Sequence, residues 1–269
     1  MSNTQPVTIV TGGSFGLGQS ITVDLARKGH RVVSFGLGQS QVSSTARGFD
    51  ALHQSLGEAN VQDQVLVLEA DVTNQNDVDE VVRQTLERFG RIDGLVNNAA
   101  IGPLGTILDT PPELFLKILE VNIQGAYLMS RTALPHMIRN GGGSIVNVGS
   151  GAGYGKPNMA AYAASKGGLL ALTMAMAYDH FHDHVRVNMV IPGGGGIVTG
   201  MSVGRFDGDV NKFVNRPITG TVAGRAMTGA DFARTIAFLL SDDAATLSGT
   251  VIDVGCFAHQ GGPVPQKNH

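Results

Sequence analysis

Short β-branched runs and longer helical stretches alternate along this chain from its start almost to its end, and that alternation constrains the fold more than any other feature. The strand candidates are residues 7–11, 31–35, 64–70, 94–97, 144–148, 185–190 and 250–254. The helical candidates are 16–28, 42–56, 74–89, 112–139, 159–181 and 229–240. Most strand candidates are continuous apolar runs, the pattern of a parallel sheet covered on both faces. Strict βαβα order places helices on both sides of that sheet. The expected fold is α/β: a Rossmann-type doubly wound parallel sheet of about seven strands with helices on both faces. No linker divides the 269 residues, so one domain over 1–269 is expected. The irregular insert at 200–227, rich in Gly, Arg and Asp, reads as a substrate lid.

Composition narrows the function classes. Apolar residues are 42% and charged residues 15%, which supplies a core and argues against disorder. The net charge of -3 leaves no basic excess to coat a phosphate backbone, so no nucleic-acid partner is expected. The N-terminus has no basic start followed by a long apolar core, and the weakly polar stretch 167–178 is far shorter than the ~20 residues that span a bilayer. No signal peptide and no membrane association are expected. The one cysteine, Cys256, cannot form an internal disulfide, so a cytoplasmic location is the expectation. His180, His182 and His184 lack a supporting cluster of ligands, and no metal site is expected.

Three local patterns carry chemistry. Directly after the first strand candidate comes Thr11-Gly12-Gly13-Ser14-Phe15-Gly16-Leu17-Gly18, followed by a helix. Glycines there allow a tight turn and let backbone N–H groups approach a pyrophosphate, beside the positive end of the helix dipole. Further on, Tyr162 and Lys166 stand four apart on a helical stretch and share a face. A nearby ammonium favours tyrosinate and lowers the phenol pKa from its reference near ~10, which makes it usable as an acid or base. Ser150 follows a buried strand candidate, twelve residues before Tyr162. Ligands of open α/β sheets sit at the carboxyl ends of strands, where such a hydroxyl can hold a substrate oxygen.

With these motifs in order, the chain resembles the short-chain dehydrogenase/reductase family in its compact form, from about residue 6 to residue 254. TGGSFGLG matches the family's TGxxxGxG; Asp71-Val72 follows the third strand; Asn97-Asn98-Ala99-Ala100 stands for its NNAG; then come Asn122, Ser150, Tyr162, Lys166, and Asn188 with Pro192-Gly193. The resemblance implies an NAD(P)-dependent carbonyl reductase or alcohol dehydrogenase acting on a small molecule. It gives Tyr162 the proton transfer, Lys166 the lowering of its pKa and the nicotinamide ribose, Ser150 the substrate oxygen, and Asn122 a relay water. Asp71 and Val72 would border the adenine, and Asn98 the adenosine-side ribose. A non-catalytic dinucleotide-binding regulator on the same fold is the alternative; loss of the tyrosine or lysine would favour it, and both are present.

The chain departs from the family pattern in places. Ala100 replaces the glycine of NNAG. The spacing from Ser150 to Tyr162 is one residue shorter than usual. Extra glycines, 194–196, separate Pro192-Gly193 from Ile197-Val198-Thr199 beside the nicotinamide. The second strand candidate ends without the carboxylate that usually marks NAD selection; Gly36 stands at that position. The heptamer SFGLGQS occurs twice, at 14–20 and 34–40, so a second Gly-X-Gly follows this strand. With no acid before Asp50 and Arg47 the nearest cation, the cofactor is NADP or NAD, leaning to NADP. The helix after Met159 is apolar almost all round, and with the stretch 112–139 it predicts a homodimer or, more so, a homotetramer built on those helices.

Overall fold

The structure, a computed structural model, describes residues 5–38, 48–193, 197–204, 206–215 and 221–255. Seven strands form one parallel sheet: β1 (Val7–Thr11), β2 (Arg31–Gly36), β3 (Val65–Glu69), β4 (Gly94–Asn97), β5 (Gly143–Val148), β6 (Val185–Ile191) and β7 (Val251–Asp253). Their spatial order is β3-β2-β1-β4-β5-β6-β7. Every strand candidate is a strand, with ends moved by at most one residue. The reason these strands read as continuous apolar runs is visible in their two faces. Ile9, Val33, Phe35, Leu95, Ile145 and Val187 join one core cluster. Val10, Val32, Val96, Val146 and Val190 join another. Successive side chains point to opposite faces, and here both faces are buried. Each fully buried Val or Ile contributes roughly 1.5–3 kcal/mol.

The helices are α1 (Gly16–Arg27), α2 (Gly48–Glu58), α3 (Gln75–Phe89), α4 (Pro112–Leu119), α5 (Gly125–Arg139), α6 (Ala160–Asp179), α7 (Gly200–Gly204), α8 (Val210–Asn215) and α9 (Gly229–Leu240). Residues of α3 and α5 cover the first face of the sheet. Residues of α1, α2 and α9 cover the second. α9 starts on a capping box in which Thr228 and Asp231 bond each other's backbone N–H groups.

Three expectations need correction. The stretch 112–139 is not one helix: α4 and α5 are joined by a π-helical turn at Glu120–Gln124. Such a turn changes the helical register locally, which an apolar period of 3.6 does not reveal. α6 stops at Asp179, two residues short of the expected end, and His180 Nδ1 just beyond it lies 2.8 Å from Asp183 Oδ2. The segment 200–227 is less irregular than expected, since it holds α7 and α8. The helix candidate 42–56 is seen from residue 48 on; residues 42–47, Cys256 and the glycines 194–196 lie outside the described residues.

The described residues of the repeated heptamer adopt two structures. Its first copy forms the turn after β1 and the start of α1; its second copy begins as the last three residues of β2. Phe35 is buried in the core, whereas Phe15 is only partly buried at the N-cap of α1. Identical residues therefore follow their surroundings and not their local propensity. Among the described residues no helix is long and apolar enough to cross a membrane, and no three His, Cys, Asp or Glu side chains are grouped as a metal site.

Candidate active site

Strand order reverses direction between β1 and β4, so the carboxyl ends of these two strands flank a crevice. The turn after β1 and the segment after β4 are fastened to each other. Thr11 Oγ1 accepts from the backbone N–H of Asn98 and of Ala99, each at 2.9 Å. The Asn98 side chain donates back to Thr11 O at 3.0 Å and Gly12 O at 2.9 Å. Asn98, expected beside the adenosine ribose, braces the glycine turn with its amide N–H groups. Ala100 is half-buried at the same rim.

The turn itself is shaped for an anion. Gly12 and Gly16 have φ of 60° and 58°, where a side chain would be strained. A Cβ on Gly18 would overlap the Gly12 carbonyl oxygen, so the turn and α1 meet at their backbones. α1 has no side-chain cap at Phe15 and no acidic residue in its first turn. Its first N–H groups and dipole are thus left for an external anion such as a pyrophosphate. Ser14 lies in this turn, and Leu17 packs down onto the second core cluster. On the opposite rim, a Cβ on Gly16 would come 2.9 Å from Thr199 Cγ2, which places residues 198–199 over the start of α1. Thr199 and Ser202 exchange bonds at 2.7 and 2.9 Å and fix the entry to α7. Pro192 and Gly193 directly follow β6, where Gly193 packs against Gly255. Asp71 accepts from Thr73 N and Oγ1 at 2.8 Å, just past β3, and Val72 is buried against Gly125.

Ser150, Tyr162, Lys166 and Asn122 lie on segments that pack on one another: the turn after β5, α6 and the π turn. Ser150 is extended and caps a 3-10 turn at Gly151–Tyr154, its Oγ accepting from Ala152 N at 3.2 Å. That bond uses an oxygen lone pair and leaves the hydroxyl proton to donate. The 3-10 turn sits close on α6, where a Cβ on Gly153 would fall 2.9 Å from the Lys166 carbonyl carbon. Tyr162 and Lys166, one turn apart on α6, are both buried. Lys166 Nζ donates to Val148 O at 2.9 Å and lies 5.8 Å from the centre of the Tyr162 ring. Burial pushes the Lys166 ammonium down to about 8.

Asn122 stands in the π turn. Its Oδ1 accepts from Ile101 N at 2.8 Å, and its Nδ2 donates to Ile101 O and Ser165 Oγ, each at 2.9 Å. Ser165 Oγ then donates to Tyr162 O at 2.7 Å. The amide thus ties the segment after β4 to α6 between the tyrosine and the lysine, and both its N–H groups are engaged. A relay water, the role expected for Asn122, would have to be held by an oxygen of that residue.

Two participants escaped the sequence reading. Ser165 lies inside the Tyr162–Lys166 spacing, and its identity as a small hydroxyl residue was the available signal. Met201 of α7 reaches the tyrosine's surroundings: a Cβ on Gly102 would come 2.8 Å from Met201 Sδ and 2.9 Å from Tyr162 Cδ2. No local pattern brings together Gly102 and a methionine and a tyrosine thirty-nine residues apart.

Comparison with known proteins follows the same lines. The family model described as short chain dehydrogenase matches residues 6–208. The 2-(R)-hydroxypropyl-CoM dehydrogenase of Xanthobacter autotrophicus is 36% identical over 251 residues, covering 91% of this chain and 95% of its own. Among solved structures, 3-ketoacyl-(acyl-carrier-protein) reductase from Brucella melitensis complexed with NADH superposes with a TM-score of 0.77 at 30% identity, covering 96% of this chain and 100% of that one. Actinorhodin polyketide ketoreductase with NADPH superposes with a TM-score of 0.82 at 27% identity, covering 95% of this chain and 97% of that one.

Proposed function

The chain belongs to the short chain dehydrogenase family, and on that premise we propose that it moves a hydride between a nicotinamide dinucleotide and a carbonyl or secondary alcohol, with Tyr162 as the proton-transfer group. It is an oxidoreductase of the NAD(P)-dependent kind. The observation that carries the catalytic assignment is the buried pair on α6, Tyr162 with Lys166 5.8 Å from its ring, against which packs the 3-10 turn that Ser150 caps just past β5.

The residues present suit a dinucleotide. The uncapped start of α1 and the bare turn at Gly12 fit the pyrophosphate, while residues 71–72, 98–100, 192–193 and 198–199 border the crevice on its other sides. When bound, the nicotinamide supplies or accepts the hydride. In reduction, charge builds on the carbonyl oxygen as its carbon receives the hydride. The Ser150 hydroxyl donates a hydrogen bond to that oxygen, and the Tyr162 hydroxyl donates a bond and then its proton. In oxidation the phenolate takes the alcohol proton. The Lys166 ammonium favours that phenolate. Its nearness to pH 7 in proton affinity also suits it to return the proton to Tyr162 from solvent. Asn122 acts through Ser165 as a positioning residue, holding α6 at the height where Tyr162 meets substrate. Met201 of α7, close to the Gly102 backbone beside the Tyr162 ring, would belong to a substrate lid.

The enzyme assembles through its outer helices. An open groove of about 750 Å³ runs along α4, the π turn and α5, lined by Leu116, Leu119, Ile123, Tyr127 and, from α6, Leu172. Its lining comes from helices alone and includes none of Ser150, Tyr162 and Lys166, which suits a contact surface and not a substrate pocket. Leu116 is 63% exposed and Tyr127 46%. A second copy, related by a two-fold axis, covers such an apolar face with itself, and a homodimer or homotetramer results.

The test is a panel of ketones and secondary alcohols, followed by the absorbance of the reduced nicotinamide. Turnover is expected with at least one class. In Tyr162→Phe, turnover should fall by at least ~100-fold with cofactor affinity nearly unchanged. Cofactor binding with no turnover across the whole panel would point to a regulator instead.

A further inference from the structure

The end of β2 carries no side chain at Gly36, the position from which NAD-selective sites usually extend a carboxylate to the ribose 2′-hydroxyl. That vacancy suggested NADP. The neighbouring strand changes the argument. β2 and β3 are in parallel register with Gly36 opposite Glu69, and Ala70 N donates to Gly36 O at 3.0 Å. Opposed residues of adjacent strands point to the same face. The exposed Glu69 side chain therefore emerges on the face from which a residue at 36 would have extended.

Two glycines show where its carboxylate lies. A Cβ on Gly36 would sit 3.2 Å from Ser14 Oγ and 3.8 Å from Gly12 Cα, so this face of β2 looks onto the phosphate turn. A Cβ on Gly38 would overlap the Glu69 carboxylate, so that group rests directly on the bare backbone just past β2. Side chains at 36 and 38 would wall the carboxylate off from the crevice; glycines leave it open. None of the ion pairs among the described residues engages Glu69.

We infer that Glu69, at the end of β3, takes the place of the missing β2 carboxylate, accepts from the adenosine ribose hydroxyls and selects NAD over NADP. The inference rests on the dinucleotide reading above. A 2′-phosphate brought against this carboxylate would set like charges a few ångströms apart. Even at the dielectric of water, that repulsion weakens binding about tenfold or more.

The experiment titrates the purified protein with NADH and NADPH, following nicotinamide fluorescence, which no tryptophan of this chain obscures. Calorimetry with ADP-ribose and its 2′-phosphorylated form repeats the comparison without the nicotinamide. NADH should bind at least about tenfold more tightly than NADPH. Glu69→Gln should narrow that ratio about tenfold, and Glu69→Arg should reverse it, with thermal unfolding confirming that both variants fold. If wild type binds NADPH as tightly as NADH, the inference fails while the dinucleotide reading stands. A preference for NADH that survives both substitutions also overturns it. Failure to bind either nucleotide would remove the reading beneath it as well.

Discussion

Replacing Lys166 with methionine should abolish catalysis and change stability in a way that depends on pH. The ammonium is buried, and burial is the cause of its lowered proton affinity, from an ordinary value of 10.5 to about 8. At about 1.4 kcal/mol per unit, holding the charged form inside the fold costs about 3 kcal/mol wherever folded and unfolded chains are both protonated, that is, below about pH 8. The sign follows from which state holds the proton more tightly. Between about pH 8 and 10.5 the unfolded lysine keeps its proton and the folded one loses it, so this group's contribution to stability rises with pH. Methionine keeps an unbranched stem and discards the charge. It also leaves the Val148 carbonyl without its 2.9 Å donor, a loss of about 1–3 kcal/mol. At pH 7 the variant should therefore equal wild type or exceed it by about 1–2 kcal/mol. By pH 10 to 10.5 wild type should be the more stable of the two. The assay is urea denaturation followed by far-UV circular dichroism at fixed protein concentration, from pH 7 to 10.5, in paired wild-type and variant samples. Other titrating groups cancel in the difference. A difference that stays flat across the range would refute the buried, destabilising ammonium.

Other outcomes follow from features already described. Gly36→Asp, with its Cβ 3.2 Å from Ser14 Oγ, should raise the ratio of NADH to NADPH affinity, and in the Glu69→Gln background it should restore a lost preference; fluorescence titration reads both. Thr228→Ala removes one half of the α9 capping box and should lower unfolding stability by about 1 kcal/mol in urea titration. Sedimentation velocity at micromolar concentration should show a dimer or tetramer, and Leu116→Glu, on the exposed groove, should shift it toward monomer; a wild-type monomer would rule out assembly on this face.

What the sequence makes legible is what depends on short spacings. The strands stand out because both of their faces are buried, and Tyr162 and Lys166 stand out because one helical turn separates them. Ser150 is legible as the residue just past a buried strand. Features made by distant segments are not legible. The π turn serves Asn122, whose partners Ile101 and Ser165 are 21 and 43 residues away. Met201 approaches Tyr162 only because the segment after β6 returns across the strand ends. Glu69 shows its importance only beside Gly38, thirty-one positions earlier, once β2 and β3 are paired. The heptamer makes the same point with one sequence: Phe35 enters the core because β1 and β3 flank it, and Phe15, with the same neighbours in sequence, remains half outside.

The bonds from Asn98 and Ala99 to the Thr11 hydroxyl span 87 and 88 residues, and they bear on how the molecule is made. β1, α1, β2 and β3 can leave the ribosome and pair in order, since each lies next to its predecessor in the sheet. The glycine turn after β1, however, has its brace only after residue 99 has been synthesised and β4 has slid in on the other side of β1. Until then the N-terminal third is a half-sheet with an exposed edge at β1, every residue of which is buried in the finished fold, the kind of edge that invites wrong pairing. A cofactor that needs the braced turn cannot steady this early species. It can act only after β4 has docked, so supplying the dinucleotide during refolding should raise the yield of folded protein without speeding the first collapse.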